Sequence, residues 1–184
     1  MKRRALPVAA LALCAMLVLT AASSPESQVP SLAEIRARDF KVTLLDGTTV
    51  PLGTLIGNGE PLVIEFWATW CAPCRKTLPH LVALKRAHGD SLVVLGLTVE
   101  DPKTAMEKVR DYARSEGVNF SVAFAPRELF QFMNSRPDIA VPKLFVFDRA
   151  GTTVAYIPRY SPFTGRKLDS AVKKALSHRA RPDA

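Results

Sequence analysis

One segment constrains the fold more than any other: an apolar strand that runs directly into two cysteines and then into a helix. Residues 62–67 read Leu-Val-Ile-Glu-Phe-Trp, a composition typical of a strand that is buried on both faces. After the cysteines, apolar side chains recur at helical spacing from Leu78 to Leu84. This order predicts an α/β fold in which Cys71 and Cys74 lie at a strand-to-helix junction.

The spacing of the two cysteines indicates thiol redox chemistry. Thiols three positions apart can close into a small disulfide that exchanges readily. In the first turn of a helix, unsatisfied N–H groups and the positive end of the dipole favour a thiolate, which is the nucleophilic form. We therefore expect Cys71 and Cys74 to form the reactive centre.

The remaining patterns predict a central mixed sheet flanked by helices. Turn sequences at 46–47 and 148–151 lie between apolar runs, which indicates an N-terminal β-hairpin and a second hairpin near the C-terminus. A strand over 92–99 should pair in parallel with the cysteine-bearing strand. The further predicted elements are a helix from Asp101 to about Gly117, a strand over 120–124, an inserted helical segment at 127–133 and a closing helix over 166–178.

The first 22 residues have the organisation of an export signal. Basic residues at positions 2–4 precede an apolar stretch from Val8 to Ala22 that ends in small residues, the pattern that signal peptidase recognises. The uncharged stretch from Ala5 to Pro25 is about long enough to span a bilayer. A cleaved signal peptide and an inner-membrane tether through residues 5–22 both stay open, and either predicts a periplasmic or other extracytoplasmic location.

Composition divides the chain into four regions. These are a signal peptide or membrane anchor at 1–22, a linker at 23–38, a folded domain at 39–178 and a basic tail at 179–184. Within the linker, Ser31 and Glu34 have the spacing of a capping box, which predicts a helical turn. Residues 1–22 carry three basic and no acidic side chains, so without them the net charge falls from +8 to +5. No basic stripe alternates with aromatic residues, which argues against nucleic-acid binding.

Residues 66–74, Phe-Trp-Ala-Thr-Trp-Cys-Ala-Pro-Cys, resemble the active-site segment of the thioredoxin superfamily, as does Pro79 in the following helix. They are most similar to the exported TlpA/ResA-like thiol:disulfide oxidoreductases. The resemblance covers about residues 39–178 and implies a thioredoxin fold that works without a cofactor. A structural zinc site is not expected, because the chain has one C-x-x-C motif and no second pair of ligands.

The resemblance also assigns roles to the residues around the cysteines. Cys71 corresponds to the nucleophile that attacks a partner's disulfide, and Cys74 to the resolving thiol that releases the mixed disulfide. Trp70 corresponds to the rim that contacts the substrate. Ala72 and Pro73, between the two cysteines, occupy the positions that tune redox poise.

A second segment matches the family farther along the chain. Val141-Pro142 corresponds to the peptide whose proline is cis and faces the disulfide, leaving the Val141 backbone to pair with an extended substrate. This chain also departs from the family pattern. Residues 138–142 contain no glycine, and Lys143 occupies the position after the proline. We therefore expect a positive charge near the thiol pair, and the substrate stays open.

Glu65 is an acid within the predicted buried strand. Burial of a carboxyl disfavours its charged form and raises its pKa. The position matches the buried acid of thioredoxins, which resembles a proton acceptor for the resolving thiol. A raised pKa suits general base catalysis near neutral pH, so we include Glu65 among the catalytic residues.

Three functions are compatible with these residues. The favoured one is a reductase that receives electrons from a membrane dithiol donor and passes them to disulfides of exported proteins or apocytochromes. The alternatives are a disulfide-forming oxidase and a non-catalytic binding module with a thioredoxin fold. The intact cysteine pair, Glu65 and Val141-Pro142 argue against the binding module. Peroxidase activity is disfavoured because the adjacent cysteines do not resemble the isolated peroxidatic cysteine of peroxiredoxins.

Overall fold

The computed structural model describes residues 29–134 and 138–178. The predicted signal or anchor at 1–22 and the predicted tail at 179–184 lie outside these residues. Within the two described ranges, no helix has the length and apolarity needed to cross a bilayer.

The elements are α1 (Leu32–Ala37), β1 (Lys41–Leu44), β2 (Thr49–Pro51), a 3₁₀ turn (Leu52–Thr54), β3 (Leu62–Trp67), α2 (Cys74–His88), a second 3₁₀ turn (Gly89–Ser91), β4 (Val93–Thr98), α3 (Pro102–Ser115), β5 (Ser121–Phe124), α4 (Arg127–Met133), β6 (Lys143–Phe147), β7 (Thr153–Ile157) and α5 (Thr164–Ser177).

The strands form one mixed sheet in the order β2-β1-β5-β4-β3-β6-β7. Strands β3, β4 and β5 are parallel to one another, and the two predicted hairpins, β1–β2 and β6–β7, are antiparallel. This arrangement confirms the predicted thioredoxin fold with its N-terminal hairpin. Strand β7 lies at an edge of the sheet, where the missing N–H of Pro158 is tolerated.

Strand β3 is buried along its whole length and separates two apolar layers. Phe66 belongs to the layer that contains the buried side chains of α1 and α4, and Val63 belongs to the layer against α2 and α5. Trp67 lies in the cluster that contains both cysteines. Full burial of each such side chain contributes about 1.5–3 kcal/mol, so the strand that carries the site is held from both faces.

Helix α1 corrects the predicted domain boundary. Ser31 and Glu34 form the predicted capping box, in which Ser31 N donates to Glu34 Oε2 at 2.8 Å. Leu32 and Ile35 are buried in the core, so the folded unit begins before Asp39 and residues 32–37 are not a linker. Two apolar residues on one helical turn are too few to produce a clear periodic signal in a polar sequence.

Candidate active site

Cys71 and Cys74 form a disulfide at the beginning of α2, with their Cα atoms 5.3 Å apart. Cys71 is 3% exposed and Cys74 is completely buried. The Cys74 N–H donates to Cys71 Sγ at 3.2 Å. After reduction, this bond and the adjacent N–H groups of the first helical turn favour negative charge on the Cys71 sulfur. Cys71 is thus slightly more exposed than Cys74, and its sulfur is the one that accepts a backbone hydrogen bond.

An apolar surface lies beside the disulfide. Trp70, immediately before Cys71, is 56% exposed, whereas Trp67 is completely buried, as predicted for a rim residue and a core residue. Ile139 is also largely exposed. A cavity of about 320 Å³ is lined by Trp70, Val99, Ala125, Arg127, Phe130 and Ile139. This surface is suited to accept an apolar side chain of a partner close to the reactive sulfur.

The peptide bond between Val141 and Pro142 is cis, which confirms the isomer expected from the resemblance. Val141 packs against the apolar cluster that contains both cysteines, so the loop and the disulfide are neighbours in space although Val141 is 67 positions after Cys74 in the chain. Within the described part of the chain, no hydrogen bond joins the Val141 N–H or C=O to another group. These backbone groups are positioned to pair with a partner chain.

Glu65 is completely buried, as predicted. Burial raises its pKa to about 8, against a smaller opposing effect of a hydrogen bond from Thr77. Glu65 Oε1 and the Thr77 hydroxyl are hydrogen-bonded, while Glu65 Oε2 has no partner among the described residues. The carboxyl is therefore mostly protonated at neutral pH and lies against the first turn of α2.

Thr77 links Glu65 to Cys74. Its hydroxyl lies 3.1 Å from the Cys74 carbonyl oxygen and also contacts Glu65. A hydroxyl has one hydrogen, so Thr77 donates to Cys74 when Glu65 is protonated and to Glu65 when the carboxyl is ionised. Sequence reasoning missed this residue. The available signal was a hydroxyl three residues after Cys74, on the same face of the helix.

The expectation of a charge near the thiols was wrong. Lys143 pairs with Phe66 across β3 and β6, and alternate side chains of a strand point to opposite faces of the sheet. Lys143 therefore shares the face of Phe66, and the cysteines pack on the face of Trp67. The Lys143 ammonium is buried and lies 2.8 Å from Asp138 Oδ1.

Glu100 holds the segment before the cysteines and was also missed. Its carboxylate accepts hydrogen bonds from the Thr69 N–H and the Thr69 hydroxyl, both at 2.7 Å. Thr69 lies two residues before Cys71, so these bonds fix the approach of the chain to the disulfide. Glu100 follows β4, and the carboxyl ends of parallel strands meet at one edge of the sheet. An acid directly after a buried strand was the available signal.

The fold and the site together define a class of protein. A cysteine pair closes as a disulfide at the start of a helix. The residue before a cis proline packs on the same apolar cluster, and Thr77 links a buried carboxyl to the turn that carries Cys74. Among residues 29–134 and 138–178, no three His, Cys, Asp or Glu side chains are grouped to hold a metal ion. The chemistry of this class is thiol:disulfide exchange within a thioredoxin fold.

The model of the AhpC/TSA family matches residues 34–156, which is more than half of the chain. The protein therefore belongs to the AhpC/TSA family and, within it, is a TlpA/ResA-like thiol:disulfide oxidoreductase.

Individual relatives agree with this assignment. The thioredoxin-like protein YneN of Bacillus subtilis is 25% identical over 116 residues, which are 63% of this chain and 65% of that protein. The thiol-disulfide oxidoreductase ResA of Bacillus thuringiensis is 27% identical over 139 residues, 75% of each chain. The crystal structure of a thiol:disulfide interchange protein from Chlorobium tepidum superposes with a TM-score of 0.60 at 27% identity. That match covers 75% of this chain and 93% of the other.

Proposed function

We propose that this protein is an extracytoplasmic oxidoreductase that reduces disulfides of exported proteins through the Cys71–Cys74 dithiol. The observation that carries the proposal is the difference between the two cysteines: Cys71 is the more exposed residue, and its sulfur accepts a hydrogen bond from the Cys74 N–H. In the reduced protein, the Cys71 thiolate attacks one sulfur of a partner's disulfide and expels the other as a thiolate. Cys74 then attacks Cys71 and releases the second partner thiol. Two electrons pass to the partner, and the Cys71–Cys74 disulfide re-forms.

In this scheme the ionised form of Glu65, roughly a tenth of the molecules at pH 7 for a pKa of about 8, accepts the proton of Cys74. The resolving thiol is completely buried, so water is a poor acceptor and a nearby protein group is needed. An ordinary thiol has a pKa of about 8.5, and the Glu65 pKa is raised to about 8. Transfer between groups of similar pKa has little free-energy cost, which suits general base catalysis. Thr77 connects the carboxyl to the helical turn that carries Cys74.

The proposed substrate site joins two segments. Trp70 and Ile139 supply exposed apolar surface, while the Val141 backbone lacks partners within the described residues and can pair with an extended chain beside Pro142. Ala72 and Pro73, both exposed between the cysteines, would tune the redox poise. We infer that the substrate is an extended segment of a protein with an apolar residue close to its disulfide.

The proposed compartment follows from the order of basic, apolar and small residues in positions 2–22. Alkaline phosphatase, which is active only outside the cytoplasm, is therefore expected to be active when fused after Pro25. Activity of a fused reporter that works only in the cytoplasm, without activity of the phosphatase fusion, would contradict the proposed export. The mass of the mature N-terminus distinguishes cleavage near Ala22 from a retained tether through residues 5–22. The partners proposed for this compartment are exported proteins or apocytochromes as substrates and a membrane dithiol as electron donor.

The direction of electron flow is tested by the reduction potential. Equilibration of the full chain with reduced and oxidised glutathione is expected to give a potential below about −220 mV, in the range of reducing thioredoxin-type proteins. A value near −120 mV, about that of a strong oxidant, would support the disulfide-forming alternative. Absence of a reversible couple would support a non-catalytic binding module.

A further inference from the structure

Lys143 is a buried cation that the proposed reaction does not use. We propose that the Lys143–Asp138 ion pair is a positioning device that holds residues 138–142, here called the platform loop, against the disulfide for substrate binding. This inference rests on the proposed function, because it assigns Lys143 to the substrate site of that reaction.

The ion pair joins the two ends of the platform loop. Asp138 is its first residue, and Lys143, the first residue of β6, directly follows Pro142. The Lys143 Nζ lies 2.8 Å from Asp138 Oδ1. Between them, Ile139 is exposed and Val141 packs against the cluster of the cysteines. This contact therefore links the two ends of the loop that presents both proposed substrate-binding groups.

The two partners differ in how they are held. The Lys143 side chain is 1% exposed and the Asp138 side chain is 35% exposed. The Lys143 backbone is fixed by pairing with Phe66 in β3, and its ammonium lies 5.9 Å from the centre of the Phe130 ring. Lys143 is thus part of the sheet, whereas Asp138 belongs to the loop. The ion pair therefore fastens the loop to the sheet.

Burial makes this contact stronger than a surface ion pair. A buried ammonium without a carboxylate partner is highly unfavourable, so the Lys143 side chain selects loop conformations that bring Asp138 to it. Arg159 also contacts Asp138, at 3.4 Å, but its side chain is 67% exposed and such contacts contribute little. Removal of either member of the buried pair should therefore release the loop without changing the cysteines.

The test compares Lys143→Met with Asp138→Ala in the full chain. Methionine keeps the length of the side chain but needs no carboxylate. With insulin as the protein disulfide, we expect KM to rise about tenfold in each variant, equivalent to about 1.4 kcal/mol, while kcat is unchanged. The rate with oxidised glutathione, which is too small to contact the whole loop, should also be unchanged. Lys41→Met is the matched control, since Lys41 forms an exposed pair with Asp39 at the same distance of 2.8 Å.

The double variant provides a second criterion. If the pair acts as one unit, combining both substitutions raises KM no further than either alone. An unchanged KM for insulin, a parallel fall of the glutathione rate or multiplicative effects in the double variant would each overturn the positioning role. Lys143→Met leaves no buried charge unpaired, so it alone decides the matter if Asp138→Ala, which does, fails to fold.

Hydrogen exchange tests the loop independently of activity. Faster amide exchange at residues 139–141 is expected in both variants but not in Lys41→Met, because exchange reports local opening. Unchanged protection there would contradict the inference even if wild-type protein proved inactive. Failure of the proposed function would instead appear as an inability of the wild type to reduce insulin, with the exchange difference intact.

Discussion

The Cys74→Ser variant is expected to accumulate as mixed disulfides with its substrates, whereas Cys71→Ser should trap few. In the first variant Cys71 can still attack a partner, but no thiol remains to resolve the complex. In the second, the remaining Cys74 is completely buried and cannot reach a partner's disulfide. Non-reducing electrophoresis of cells quenched with acid and alkylated should show the complexes as bands that reducing agent removes.

Controls separate this result from non-specific trapping. The double variant that lacks Cys71 and Cys74 should give no complexes, while Cys14→Ser, which removes the third cysteine of the chain, should behave as wild type. Equal trapping by the two single variants would refute the assignment of nucleophile and resolving thiol. Turnover with insulin is expected to be lost in both single variants, because each lacks half of the dithiol.

Glu65→Gln is expected to slow resolution of the mixed disulfide by about 100-fold, within the range for loss of a positioned general base. Glutamine keeps the size of the side chain and can still bond to Thr77, but it cannot accept a proton from Cys74. Single-turnover measurements can follow the reaction by tryptophan fluorescence, since both tryptophans lie within four residues of Cys71. The attack by Cys71 should be nearly unaffected. Equal resolution rates in the two proteins from pH 6 to 9 would eliminate the proton role.

The same substitution should stabilise the protein increasingly as the pH rises. The Glu65 pKa is raised from 4.5 to about 8 in the folded protein, so between these values the unfolded chain has lost a proton that the native state retains. The free energy of unfolding is therefore unaffected by the ionisation of Glu65 below pH 4.5. It decreases as the pH rises from 4.5 and stops decreasing once the pH passes 8. At pH 7 the Glu65 contribution lowers the free energy of unfolding of the wild type by roughly 3 kcal/mol relative to its value below pH 4.5.

Urea unfolding at pH 5 and pH 8 measures this effect. Glu65→Gln should gain stability over wild type at pH 8 and little at pH 5, whereas Glu128→Gln, at an exposed acid on α4, should shift the two values equally. A difference between Glu65→Gln and wild type that does not depend on pH would show that the pKa is not raised.

Local sequence patterns were sufficient for the elements that carry the site. The apolar run before the cysteines identified β3 because a strand buried on both faces needs no polar positions. The turn at Asp46-Gly47 identified the first hairpin because such a pair adopts the required backbone conformation. Helix α1 was predicted as a helical turn but assigned to the linker, because its place in the core depends on burial of Leu32 and Ile35 against distant parts of the chain.

The contacts between side chains required the three-dimensional structure. Thr69 and Glu100 are 31 residues apart, and only the pairing of β3 with β4 brings them together. The position of Lys143 depended on which residue of β6 opposes Phe66. A shift of one residue would have placed its charge on the face of the cysteines. Family resemblance indicated the position in the chain but not the face of the sheet.

The attachment of α1 also shows at which end of the folded domain a membrane tether would join it. Leu32 N donates to Gly151 O at 3.0 Å, so the first helix is fastened to the turn between β6 and β7. That turn lies at the opposite end of the sheet from the disulfide, because β6 runs antiparallel to β3. The separation is roughly 20 Å, the length of a six-residue strand. A tether upstream of α1 would therefore join the folded domain at the end opposite the disulfide, and the far end of the domain would carry the reactive sulfur.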